Sequence, residues 1–396
     1  MQNIRSERVV IIGGGIIGLA HALTAIEAGC KVTIVERNSR PLGASVRNFG
    51  TIWPIGLAFG SERNQGLRGV QRWQEISQAA GFHAESCGSL SLAYRDEAWN
   101  VLQEFAALPE AALEGFELLS PGETLKRHPL SNPNGLKGAL FSPHELCIQP
   151  ASALTALSAH LASIGVSFLN RACAIKVHDD AVELSDGRIL PFDRCVIAAG
   201  DEMQILFPAE LATAQVRRCQ LQMMRTSPLE QRLGAIMVSD LTLAHYPAFQ
   251  RCPSITALQS VLHDTMADYH QWGVHVIAAQ HSDGTLTLGD SHEYGQDFTP
   301  DIWSHVEELV LQNLSTFTRL PVCHIESRWH GVYLKSTIGE TQVVLHPRDR
   351  VTMVTAMGGL GMTLSWGLAE QTISSWTSPS LSPPPPDAHN LLLAEP

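Results

Sequence analysis

Gly13, Gly14, Gly15 and Gly18 follow the apolar run Val9-Val10-Ile11-Ile12, and a second apolar run, Val32-Thr33-Ile34-Val35, ends in the acid Glu36. Strand, glycine turn, helix, strand and acid, in that order, make the unit that binds an adenine dinucleotide. Gly13 permits the tight turn, Gly15 lets the backbone approach a pyrophosphate, and Gly18 lets the helix pack on the strand. The helix begins at Ile16 and Ile17, so its N-terminus aims N–H donors and the positive end of its dipole at the phosphates. Glu36 is placed to accept hydrogen bonds from the adenosine ribose. Two more corners have the same small-residue character: Ala198-Ala199-Gly200 at the end of an apolar strand, and Gly358-Gly359-Leu360-Gly361-Met362-Thr363 between a strand and a helix. Small residues there let the backbone lie close to a ligand.

The elements that position these corners follow from periodicity. The first helix is expected from Ile16 to Ala28, with Gly29 as its stop. From Arg37 to Pro54 the chain is small and polar with few core-forming positions, a length of loop that usually carries function. Helices are expected over 61–80 and 96–107, a strand over 90–94, and a capped turn with a short helix from Leu119 to Leu130. A helix opened by Pro150 runs to Gly165, followed by a strand over 166–169 and a hairpin of 181–184 with 188–190 across Asp186-Gly187. Beyond Gln215 the strands 221–224, 274–279 and 285–288 read as antiparallel, and Thr299 is expected to cap a helix with Pro300 at its first position. The fold class is therefore α/β. A Rossmann-like nucleotide domain (1–75, 145–215 and 325–377) joins a second, mainly antiparallel α+β substrate domain (76–144 and 216–324). Residues 378–396, rich in Pro and Ser, are expected to be a flexible tail.

Composition limits the partners. A net charge of −12 argues against nucleic acid or an anionic membrane. The apolar stretch at 9–20 is interrupted by too many glycines for a membrane helix, so no stable membrane association is expected. Eight cysteines without a C-x-x-C pair read as reduced thiols, and with no cleavable leader pattern the expected location is the cytoplasm. Seventeen histidines show no H-E-x-x-H or similar spacing; they read as scattered surface and core side chains, and no metal is expected. Nothing in the composition specifies an oligomeric state.

The three glycine and alanine corners together resemble the FAD-dependent oxidoreductases of the D-amino acid oxidase family, which includes glycine oxidase and sarcosine oxidase; the resemblance reaches to about residue 375. It implies non-covalent FAD. Gly13, Gly15, Gly18, Glu36 and Arg37 would hold its ADP half, and Ala44, Ser45, Arg47, Asn48 and Phe49 would lie along the pyrophosphate and flavin. Ala174 would contact the adenine from a strand, Ala199 and Gly200 would close the strand end, and Gly358 to Thr363 would face the carbonyl edge of the flavin, where N–H donors stabilise negative charge. Asn48 occupies the region where a flavin-attaching His would lie.

The family's amino acid oxidases show Arg-Pro after Trp-x-Gly-x, and that Arg pairs with the substrate carboxylate. This chain has Trp329-His330-Gly331-Val332-Tyr333-Leu334-Lys335. The stretches 44–50, 328–333, 357–363 and 241–249 resemble an organophosphonate-associated subgroup, which implies an aminophosphonate such as 2-aminoethylphosphonate or its N-methyl form. Arg47, Asn48, Tyr246, Trp329, His330, Tyr333 and Lys335 are the candidate substrate contacts, with Arg47 and Lys335 neutralising the headgroup and Tyr333 assisting. The expected reaction is hydride transfer from the carbon beside a neutral amine to flavin N5 with hydrolysis of the imine, and oxygen or another acceptor then takes the electrons. Alternatives are an oxidase of D-amino acids, glycine or sarcosine, an NAD-dependent dehydrogenase, or a non-catalytic flavin-binding protein.

Overall fold

A strand β1 (Arg8–Ile12), a helix α1 (Ile16–Glu27) and a strand β2 (Lys31–Glu36) form the opening unit, in a computed structural model that describes residues 6–321 and 323–376. The expected tail at 378–396 lies outside the described residues. β1 pairs in parallel with β2 on one side (Ile11 with Ile34) and with strand Arg194–Ile197 on the other (Ile11 with Val196). The sheet has six strands: Ser167–Asn170 flanks β2, while Val351–Thr355 and the antiparallel edge strand Val343–Arg348 continue beyond Arg194–Ile197. Its central strands are buried on both faces, which is why they read as continuous Val/Ile runs instead of alternating ones.

Helix α1 packs against helix Gly361–Ser375, which also packs against helix Ser61–Ala80. Trp73 and Trp366 meet edge to face between those last two at 5.5 Å, and both are fully buried. Burial of a large apolar side chain contributes about 1.5–3 kcal/mol, so this contact fixes where the second glycine turn sits relative to the first. Trp73 Nε1 also donates to the carbonyl of Met362 at 2.7 Å, which pins that turn directly.

The second sheet has nine strands and is antiparallel except where Ile236–Val238 runs parallel to Ser89–Ala93. Its longest pair joins Val216–Thr226 to Ile325–Ser336, with Cys219 opposite Tyr333 and Met223 opposite Trp329. Alternation along the first of these strands sends Cys219, Leu221 and Met223 into the core shared with the nucleotide-binding layer. Met224 faces the other way, into a core with Val306, Val310 and Leu314 of helix Ser304–Phe317.

That helix begins later than Thr299 and Pro300 indicate. Thr299 spends its hydroxyl on Asp301, accepting from its N–H at 3.1 Å and donating to its carboxylate at 2.6 Å. Gln222 in the sheet meanwhile clamps Trp303 at both backbone groups, with Oε1 accepting from its N–H and Nε2 donating to its carbonyl, each at 2.8 Å. A tertiary clamp thus holds Trp303 extended, and the helix starts after it. Strand 274–279 likewise starts only at Ile277, because His275 pairs irregularly with Asp290. The second glycine turn enters its helix at Gly361, so Met362 and Thr363 belong to the helix. No helix among the described residues is long and apolar enough to cross a membrane.

Candidate functional site

A cleft of about 1570 Å³, open to solvent at its mouth, runs from the end of β2 past the N-terminus of α1 to the second glycine turn. Gly13, Gly15, Ile16, Ile17, Glu36, Arg37, Ala44, Ser45, Arg47, Asn48, Ala174, Ala199, Gly200, Tyr333, Gly359, Gly361 and Met362 all line it. Gly18 does not. It lies one turn into α1, where a Cβ would stand 1.9 Å from the carbonyl oxygen of Gly13, so its part is to bring the helix onto the strand turn.

Gly13 has φ of +108°, and a Cβ there would stand 2.3 Å from the carbonyl oxygen of Ala198. The turn thus requires glycine both for its dihedral and for the approach of the neighbouring strand end. Ser45 folds its loop over the helix start: its Oγ accepts from the N–H of Ile16 at 3.0 Å. Glu36, buried at the end of β2, accepts from the N–H of Gly14 and of Asn38 at 2.9 and 2.8 Å and is thereby held at the cleft wall with further lone pairs available. Arg37 forms an ion pair with Glu202 across the same end of the cleft.

At the opposite end the chain leaves strand Val351–Thr355 through Ala356, Gly358 and Gly359, with φ of +52°, +57° and +84°. Ala356 adopts a left-handed conformation that costs an L-residue energy, and such outliers gather where a ligand is held. Glu36 at one end, a helix N-terminus headed by Gly15 in the middle, and a glycine corner at the other end fit an extended dinucleotide. The residues present therefore suit FAD.

Several expected contacts stand elsewhere. Phe49 is buried in the shared core and does not reach the cleft wall. Gly358 and Leu360 also lie off the wall, and Thr363 is fully buried, its Oγ1 accepting from the N–H of Trp53 at 2.8 Å. These residues shape the corner instead of lining it. Asn48 lines the cleft but commits its amide to its own loop, donating to the carbonyl of Ala44 and accepting from the N–H of Gly50. Unexpected lining comes from Asp201, Glu202, Leu221 and Val354 to Met357. Asp201, Glu202 and Val354 to Met357 adjoin the two small-residue corners, whereas Leu221 is distant from them in sequence and left no local signal.

Among the substrate candidates, Tyr333 and Arg47 line the cleft, whereas Tyr246, Trp329, His330 and Lys335 stand behind it. Arg47 Nη1 donates to the carbonyl of His330 at 3.1 Å and its own carbonyl accepts from Trp329 Nε1 at 3.2 Å, so the loop is stitched to the long strand. The Tyr333 hydroxyl faces the second glycine turn: a Cβ on Gly359 would lie 3.4 Å from it. Burial, reinforced by Cys219 and Asp290, pushes the Tyr333 phenol well above its usual pKa, and it keeps its proton. Lys335 Nζ lies 3.2 Å from the hydroxyl of Tyr294, and the guanidinium of Arg217, opposite Lys335 in register, sits 3.7 Å from the centre of the Tyr294 ring. Tyr246 is half-buried, 6.0 Å from Trp53 between ring centres.

The loop that presents Trp53 rests on buried charge. Arg63 Nη1 donates to the carbonyl of Pro54 at 2.6 Å and pairs with Glu114, while Glu145 accepts from the N–H of Ile55 at 3.0 Å and from Ser89 at 3.0 Å. Burial pushes the Glu145 carboxyl upward.

The histidines depart from the scattered distribution expected of them. His245, His275 and His292 come together, with candidate ligand atoms within 4.8 Å of one another. They arrive from three separate elements, which is why no short spacing announced them.

Comparison with solved structures gives the fold. A glycine oxidase from Geobacillus kaustophilus matches with TM-score 0.75 and 17% identity over 93% of this chain and 94% of that one. An L-proline dehydrogenase from P. horikoshii matches with TM-score 0.76 and 18% identity over 94% of each chain. Among curated sequences, the 4-methylaminobutanoate oxidase (formaldehyde-forming) of Paenarthrobacter nicotinovorans is 30% identical over 207 residues, which is 49% of this chain and 24% of the relative. The chain spans less than half the length of the curated relatives it matches. The family model for FAD dependent oxidoreductases matches residues 8–374, nearly the whole of the described chain, and the protein accordingly belongs to that FAD-binding family.

Proposed function

We propose that this chain, in the cytoplasm, oxidises the C–N bond of a small primary or secondary amine that carries a phosphonate group, the 2-aminoethylphosphonate class or its N-methyl form. The observation that carries the reading is the face of the sheet beside the second glycine turn. Tyr333 stands at the cleft wall where an arginine for a carboxylate would be expected, and Arg217 and Lys335 lie two residues further along the same paired strands, gathered on Tyr294. Two cations and a phenol that keeps its proton suit a headgroup with more than one negative charge better than a single carboxylate. The curated relative that acts on 4-methylaminobutanoate supports an amine bearing a remote anion.

Non-covalently bound FAD would be held by Glu36, Ser45 and the two glycine turns, and it would supply the hydride acceptor. The protein's share is placement. Tyr333 donates its O–H to the headgroup, Lys335 and Arg217 add charge from behind, and Trp53 packs with Tyr246 behind the cleft. Oxygen or another acceptor would take the electrons.

The test is the spectrum of the purified yellow protein, mixed anaerobically with 2-aminoethylphosphonate, its N-methyl form, glycine, sarcosine and D-alanine. Bleaching by the aminophosphonates at concentrations where the amino acids are inert is the expected result. Preferential bleaching by an amino acid overturns the phosphonate reading, and a flavin that no amine reduces overturns the enzymatic one.

A further inference from the structure

His245 ends the short helix Asp240–His245, His275 precedes strand Ile277–Gln280, and His292 precedes strand Glu293–Gly295. Their ring centres are 4.0 Å (245 to 275), 4.9 Å (245 to 292) and 5.2 Å (275 to 292) apart. The carboxylate of Asp290 lies beside two of these rings: Oδ1 is 3.4 Å from Nε2 of His275, and Oδ2 is 3.9 Å from Nε2 of His292. Two imidazole nitrogens from nearly parallel rings thus face one carboxylate, with the third ring beside them.

Ordinary hydrogen bonding leaves this group unfinished. His275 Nδ1 and Asp290 Oδ1 are buried without a hydrogen-bond partner, a costly state for polar atoms. His292 differs in a telling way: its Nδ1 lies 2.9 Å from the carbonyl oxygen of Gly273. A carbonyl accepts only, so Nδ1 carries the ring proton and Nε2, the atom facing Asp290, presents a lone pair. A backbone carbonyl that orients an imidazole in this way is the usual outer support of a metal-ligating histidine.

We propose that His245, His275, His292 and Asp290 form a binding site for one divalent first-row transition ion of borderline softness, with Zn²⁺ as the representative. Three imidazoles and one carboxylate match the ligand preference of such ions. A neutral imidazole is the form that ligates. Donors in a tetrahedral site lie about 3.4 Å apart, so the present spread contracts on binding. Lys335 faces the group from the neighbouring strand and opposes a cation, but it has Tyr294 as an alternative contact. An anion is the poorer occupant, because the carboxylate of Asp290 lies beside two of the rings. Tyr246 follows His245 directly, and a bound ion would fix the segment that places this ring against Trp53.

The inference does not depend on which amine is oxidised, and its test reads metal directly. The flavin-loaded full chain, stripped with a chelator and dialysed against Zn²⁺, is assayed by elemental analysis, and Co²⁺ is substituted to look for tetrahedral absorption bands to the red of the flavin. About one equivalent of zinc per chain is expected in the native protein and none in the His275→Ala/His292→Ala double variant. The exposed pair His263 and His270 serves as a control, and its removal should leave the ion bound. Zinc absent from the native protein, or retained by the double variant, overturns the site. Should the double variant fail to keep flavin, carbethoxylation of the native protein decides: zinc should protect His245 and leave His263 reactive, and equal labelling of His245 with and without zinc also overturns it.

Discussion

The cleft is built in two different ways at its two walls. Along the nucleotide wall the contacts are made mainly by backbone, and the residues that matter are those that lack a side chain or have a short one: Gly13, Gly15, Ser45, Gly359. On the sheet side the chemistry belongs to long side chains, Tyr333 at the wall and Lys335, Arg217 and the histidine group behind it, which meet only because strands far apart in sequence pair in one register. The first wall has no room for a Cβ at Gly13, and at Gly15 one would stand 2.9 Å from Ser45 Oγ. The second carries its chemistry on side chains, which is the property expected of a surface that sets specificity on a shared scaffold.

This contrast can be broken or sharpened by measurement. The largest effect is expected at the turn. Gly18→Ala places a methyl 1.9 Å from the Gly13 carbonyl oxygen, and overpacking of this kind costs about 1–3 kcal/mol or more; the purified protein should lose its flavin and melt earlier. Retention of full flavin content would show that the turn adapts and that the backbone wall is less demanding than it looks.

Next comes a pH effect on the same wall. His21 on α1 lies 2.7 Å from the carbonyl oxygen of Ile17 and 3.3 Å from Thr372 Oγ1 of the helix after the second turn. Burial lowers it to about 4 from an ordinary 6.5. The unfolded chain therefore binds more protons than the folded one between those values. The stability held above pH 6.5 is lost as pH falls toward 4, by an amount on the order of 1–3 kcal/mol. His21→Gln should reduce the drop in Tm across that window, although other buried histidines, His281 among them, keep part of it.

On the sheet wall, Tyr333→Phe should leave flavin bound and raise KM by about tenfold, the equivalent of one hydrogen bond to a charged group. Unchanged kinetics would remove Tyr333 from the pocket. Smallest is Lys335→Met, for which a severalfold rise in KM is expected, diminishing as salt is added because the ammonium is solvent-accessible. A salt-independent loss would mean that Lys335 acts through packing against Tyr294.

Much of the nucleotide wall was legible because its signals are local. The run from Val9 to Glu36 carries the turn, the helix and the acid within one stretch, and the capped helix at 121–127 is announced by Ser120 and Glu123, which form a capping box. Local signals also misled. Thr299 and Pro300 have the right chemistry for a helix start, yet Gln222 holds Trp303 extended and moves the start to Ser304. Phe49 and Thr363 sit in motif stretches that suggested contact with the ligand, but packing turns both into the core. The histidines held no local pattern at all, since each belongs to a different element.

The sequence by itself determined the dinucleotide turn, the FAD-binding family and the mixture of a parallel sheet with a largely antiparallel one, because glycine dihedrals, helix caps and strand periodicity act over a few residues. Only the tertiary structure decided which side chains face the cleft and which meet one another. The pairing of Val216–Thr226 with Ile325–Ser336 brings Arg217 to Lys335 and Cys219 to Tyr333, and the irregular pairing of His275 with Asp290 brings the histidines to a carboxylate. The side-chain period in a strand is two, so a register shifted by one residue would send each of these groups to the opposite face.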